Sequence, residues 1–88
     1  MKLMILDKNE RWSLHKSKVY EECLELVEAI NSDDRVCIAE EAFDIIQVAL
    51  GILDKLQHEG VDIQQAIHTH NKKLINREGS IKQLLRFR

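Results

Sequence analysis

Two acidic clusters at helical spacing, Glu21-Glu22-x-x-Glu25 and Glu41-x-x-Asp44, are the residues of this chain best placed to do chemistry. Glu22 and Glu25 are one turn apart on one helix, and Glu41 and Asp44 are one turn apart on the next. The clusters lie symmetrically about the polar stretch Asn31-Ser32-Asp33-Asp34. If the two segments fold back on each other around residue 33, Glu25 comes level with Glu41 and Glu22 with Asp44. Four carboxylates then meet at one place. Near 4 Å, each like-charge pair costs about 1 kcal/mol in bulk water and about 4 kcal/mol at an effective dielectric of about 20. Such a cluster calls for a counter-charge. An all-oxygen set with no histidine or cysteine at the matching positions suits a hard cation, magnesium or manganese. Magnesium keeps waters and recruits substrate phosphates, which gives such a site a catalytic style. A di-iron carboxylate bundle wants Glu-x-x-His, and no histidine follows these glutamates by three.

The elements that must position these acids are helices. The chain has no proline and only three glycines, and its apolar residues recur at three and four, which predicts an all-α fold. A first helix is expected from near Asp7, where Asp7-x-x-Glu10 reads as a capping box, to about Ile30. Its apolar stripe is Trp12, Val19, Cys23, Leu26, Val27 and Ile30. A second helix starts after Ser32, Asp33 or Asp34. It carries Ile38, Ala42, Ile45, Ile46, Ala49, Ile52, Leu53 and Leu56, and Gly60 closes it as a left-handed cap. Asp62-x-x-Gln65 opens a third helix with Ile63, Ile67 and Leu74 on one side, ended by Gly79. Ser80-x-x-Gln83 starts a last short turn. Gly51, inside the second helix, reads equally as a close helix crossing or as a tolerated glycine.

At about 100° per residue, Glu22 and Glu25 lie roughly 80° and 140° to one side of the first helix's apolar centre. Glu41 and Asp44 lie roughly 75° and 135° from the second helix's centre in the same rotational sense. An antiparallel pair keeps same-sense flanks on one rim, so all four carboxylates are expected along one edge of the hairpin.

Eighty-eight residues suggest a single domain, 1–88, in a size range where one chain buries only about 60% of its unfolded surface. Hydrophobic residues make up 44% of it, more than a lone three-helix unit easily hides, so self-association is the expectation. Cys23 and Cys37 are too few and too far apart for a disulfide framework and read as reduced, structural residues. Leu3-Met4-Ile5-Leu6 is too short for a signal-peptide core, and no apolar run approaches the roughly 20 residues of a membrane span. A soluble, cytoplasmic protein is expected. Between Glu21 and Asp44 there are nine acids against the single base Arg35; from Lys72 to Arg88 there are six bases against the single acid Glu78. An acidic middle suits a metal and a basic tail suits a phosphate.

Lys18-Val-Tyr-Glu-Glu-Cys-Leu-Glu25, followed after fifteen residues by Glu41-Ala-Phe-Asp44, resembles the EExxE and ExxD motifs of the MazG-like all-α nucleoside triphosphate pyrophosphohydrolases. The segment His70-Asn-Lys-Lys-Leu-Ile-Asn-Arg77-Glu-Gly79 is similar to the one that closes that domain, so the likeness covers most of residues 10 to 80. The superfamily also includes dimeric dUTPases and phosphoribosyl-ATP pyrophosphohydrolases. The resemblance implies an antiparallel helical hairpin plus third helix, assembling as a homo-dimer or homo-tetramer with active sites completed by more than one subunit. It implies magnesium on Glu22, Glu25, Glu41 and Asp44, the four residues that rotation alone selects. It also implies cleavage of a nucleoside triphosphate between the α and β phosphates, giving the monophosphate and pyrophosphate.

By the same resemblance, Asn71, Lys73 and Arg77 would grip the triphosphate or sugar. Lys18, one turn before Glu22, would reach a phosphate or that carboxylate. Glu25, with Glu22 beside it, is the expected catalytic carboxylate, aligning a water for in-line attack on phosphorus. Glu21 points further from the core than Glu22. Trp12, His15 and Tyr20 are suited to meet a base; Trp12 falls on the apolar stripe and is expected in the core or between subunits, whereas His15 and Tyr20 lie off it. His58, His68 and His70 read as surface residues. Three readings compete with (d)NTP hydrolysis in nucleotide-pool cleaning. They are phosphoribosyl-ATP hydrolysis, a non-enzymatic helical oligomerisation module, and nucleic-acid binding, the last disfavoured by the adjoining acidic belt.

Overall fold

The computed structural model describes residues 1–6, 10–78 and 84. Three helices and no strand occur among them: α1 Trp12–Ser32, α2 Arg35–His58 and α3 Ile63–Glu78. α1 begins five residues later than the sequence suggests. Asp7 lies outside the described residues, and Glu10 precedes the helix. The first helical bonds instead run from Leu14 N–H and His15 N–H to the Arg11 carbonyl, at 3.0 and 3.2 Å, with no side-chain cap. Residues 1–6 are not helical, and the Gln47 carboxamide on α2 donates to the Met4 carbonyl.

A two-residue turn makes the hairpin. Asp33 adopts left-handed φ 56° and ψ 27°, a conformation that Asp tolerates better than most residues. Its N–H donates to the Ile30 carbonyl at 3.1 Å. Asp34 then caps α2, its Oδ1 accepting from Val36 N–H at 3.1 Å and Cys37 N–H at 3.2 Å. Those bonds, led by Cys37, hold the Asp34 carboxyl below its usual value. α2 ends as foreseen at Gly60, φ 92°. Gly60 N–H donates to Gln57 O at 3.1 Å and Val61 N–H to Leu56 O at 3.0 Å, the bond pair of a Schellman motif. Asp62 opens α3, accepting from Gln65 N–H at 3.0 Å. The expected stop at Gly79 and the turn from Ser80 lie outside the described residues.

α1 packs along α2, while α3 touches α2 and not α1 among the described residues. Ile63 seats the start of α3 at 3% exposure; Ile67 is half-buried and Leu74 exposed. The apolar stripe read for α1 is not the face that meets α2. Val27 and Ile30 are each 54% exposed, and Trp12, Val19 and Cys23 are exposed too. Only Leu26 of that set is half-buried. The α1 residues withdrawn from solvent are His15, Glu22, Glu25, Leu26 and Ala29. Three of these five are polar, so the face of α1 turned inward is not its apolar stripe. α2 keeps most of its assigned apolar residues half-buried; Ile46 and Ala49 are exposed, and Leu50, off the expected set, is buried. Both cysteines are free and exposed rather than packed.

Candidate metal and phosphate site

Glu22 and Glu25 from α1 and Glu41 and Asp44 from α2 each offer a carboxylate oxygen, and these oxygens all lie within 4.8 Å of one another. All four residues are half-buried where the helices meet, further in than the rim position that rotation about the apolar stripe implied. The level pairing about residue 33 holds. Burial, then the charge of Glu25 and a hydrogen bond with it, pushes the Glu22 carboxyl above its usual value, and Asp44 adds to the effect. Glu41 is likewise raised by burial first, then by a hydrogen bond and charge from Glu25. Glu22 Oε2 and Glu41 Oε2 are shielded from solvent and have no hydrogen-bond partner. A polar oxygen shielded from water without a partner is unfavourable, and more so when it is charged. Two such oxygens in an all-carboxylate cluster fit a hard divalent cation, which takes oxygen donors and repays both the repulsion and the missing bonds.

Of the other expected residues, Lys18 pairs with Glu21 at 3.5 Å rather than with Glu22. Asn71, Lys73 and Arg77 are exposed on α3, and among the described residues none makes a hydrogen bond or ion pair. The helix that carries them packs on α2 and, among the described residues, not on α1. Trp12 sits at the far end of the hairpin, its indole N–H donating to the Glu59 carboxylate at 3.1 Å, with Lys55 Nζ 5.4 Å from the ring centroid. Tyr20 is exposed, as are His58, His68 and His70.

His15 is the residue that sequence reasoning left open and the structure singles out. It is 5% exposed, and its Nε2 has no hydrogen-bond partner. Its ring lies 55° from the plane of Trp12 at 5.7 Å. A methyl on Gly51 would meet His15 Cε1 at 3.5 Å, an ordinary contact, so Gly51 leaves space beside the imidazole rather than relieving a clash. The clue was present in the hairpin register, which pairs 15 with 51 about residue 33 just as it pairs 22 with 44.

Fold and site together define an all-helical hairpin protein with a cluster of four carboxylates that could hold a cation. The family pattern of the MazG nucleotide pyrophosphohydrolase domain matches residues 12–81, and the chain belongs to that family. It is accordingly a nucleotide pyrophosphohydrolase, a hydrolase acting on phosphoric anhydrides, and the non-enzymatic reading falls away. Comparison with curated proteins and with solved structures gives no match. Among the described residues no helix is long and apolar enough to cross a membrane.

Proposed function

We propose that this chain hydrolyses nucleoside triphosphates, ribo- or deoxyribo-, to the monophosphate and pyrophosphate with magnesium, manganese serving as a substitute. The observation that carries the reading is the convergence of Glu22, Glu25, Glu41 and Asp44, with two shielded, unpartnered oxygens among them. These four would hold the cation. When bound, magnesium supplies neutralisation and polarisation of the phosphate oxygens.

The remaining work falls to the chain. Glu25, set against both Glu22 and Glu41, accepts a proton from the attacking water as its oxygen bonds to phosphorus and the bridging P–O bond breaks, releasing the two phosphate products. Glu22 holds Glu25 in place. Lys18 is one turn from Glu22 and balances phosphate charge.

Asn71, Lys73 and Arg77 serve the substrate from α3 across a subunit boundary in a homo-dimer or homo-tetramer. Exposed apolar residues on both hairpin helices, among them Val27, Ile30, Val36 and Phe43, support that assembly. The reaction suits nucleotide-pool cleaning in the cytoplasm. The test is a screen of canonical and modified nucleotides and phosphoribosyl-ATP for pyrophosphate release with magnesium, beside Asp44→Ala. Release by the unchanged protein and its loss in the variant is the expected result; equal activity in both would sink the site.

A further inference from the structure

Two helical turns along α1 from the carboxylates lies a cavity of about 110 Å³ with walls from Leu6, His15, Gln47, Val48 and Gly51, to which Glu10 and Lys18 add the charged groups. It is well under the roughly 300–1,000 Å³ of a site that encloses a whole drug-sized ligand. That leaves room for a ring rather than for a complete nucleotide. We propose that this cavity receives the base of the nucleotide, with His15 as the residue that reads its edge and Gly51 as the residue that keeps His15 within reach. The inference rests on the proposed function and adds to it the specificity determinant.

Three observations carry it. His15, Lys18 and Glu22 follow one another along α1 at i, i+3 and i+7, so the cavity lies about 10 Å, two helical turns, from the carboxylates. That span suits one nucleotide reaching from its base to its phosphates, and Lys18 stands between the two ends. Next, most of the walls are uncharged, which suits a base and not a phosphate. Finally, His15 Nε2 is buried without a hydrogen-bond partner, and the ring carbon bonded to it, Cε1, is the atom that faces the open side of Gly51. An imidazole nitrogen donates or accepts according to tautomer, so it can pair with a base edge in either sense. The Gln47 bond to the Met4 carbonyl holds the segment that supplies the Leu6 wall.

The experiment measures kcat and KM of the chain of residues 1–88 for the eight canonical ribo- and deoxyribonucleoside triphosphates, with His15→Phe and Gly51→Ala beside the unchanged protein and melting curves for each. The expected result is a base preference in the unchanged protein. His15→Phe should shrink the ratio of kcat/KM between best and worst base at least tenfold, mainly through KM. Gly51→Ala should change that ratio at least threefold. If His15→Phe does not fold, Gly51→Ala alone decides. Equal turnover of all bases by the unchanged protein, or ratios that stay fixed in the folded variants, overturns this inference while the proposed function stands. Absence of any nucleotide turnover by the unchanged protein overturns both.

Discussion

Glu25 and Glu41, on opposite helices of the hairpin, bring carboxylate oxygens to within 4.8 Å of each other, and burial first, then Glu25, raises the Glu41 carboxyl. This proximity places a like-charged pair in the helix pairing of α1 with α2, the one that α1 makes among the described residues. Stability and function are therefore opposed here.

Glu22→Gln removes one charge from the cluster while keeping its shape. The metal-free variant is expected to melt at a higher temperature than the unchanged protein, and its pyrophosphate release with magnesium to fall at least a hundredfold. Thermal unfolding followed by circular dichroism, together with a turnover assay, checks both; a lower melting point would contradict the account of the cluster as repulsive.

Magnesium should raise the melting temperature in proportion to its occupancy, because a ligand that binds only the folded chain stabilises it by RT ln(1 + [L]/Kd). Asp44→Ala should lose most of that rise. Calcium and magnesium titrations followed by differential scanning fluorimetry make the comparison, and a magnesium response that survives in Asp44→Ala would move the cation elsewhere.

Acidity gives a signed prediction. Glu22 and Glu41 have carboxyls raised above the ordinary 4.5, so the folded metal-free chain holds protons that the unfolded chain has released. Their contribution is fully present below the unfolded value and is lost as pH rises through the folded one. Melting of the metal-free protein should therefore fall between the ordinary carboxylate range and neutrality, with a shallower slope in Glu22→Gln. Asp34 acts oppositely and at lower pH: its stabilisation is present above 3.8 and disappears as pH drops through its depressed value.

Gly60→Ala tests the end of α2. The backbone there has φ 92° and nothing within 4 Å of an added methyl, so the whole penalty is conformational. A loss of about 1–2 kcal/mol is expected, measurable as a shift of the denaturant midpoint at unchanged slope.

Val27→Asp and Ile30→Glu address the outward stripe of α1. Each should shift the sedimentation of the protein toward the single chain and reduce turnover together with it. An unchanged sedimentation profile in both would remove that stripe from the proposed assembly.

Much of this molecule was legible before folding. Proline-free, period-3.6 patterning predicts three helices, and Gly60, Asp62 and one of Ser32, Asp33 and Asp34 mark ends that depend only on local hydrogen bonds; the structure selects Asp34. The site was legible for a related reason. Once a short turn sits at residue 33, antiparallel geometry pairs residues whose numbers sum to 66, and that fixes Glu22 with Asp44 and Glu25 with Glu41. What the sequence by itself determined was therefore which residues share a helix face and a level. Only the tertiary structure decided which face turns inward. Periodicity is blind to the partner that covers a stripe, and the Asp33 turn brought His15, Glu22 and Glu25 against α2 while Val27 and Ile30 stayed outside. The cavity lined by His15 and Gly51 follows from that arrangement, because it needs the imidazole turned toward α2.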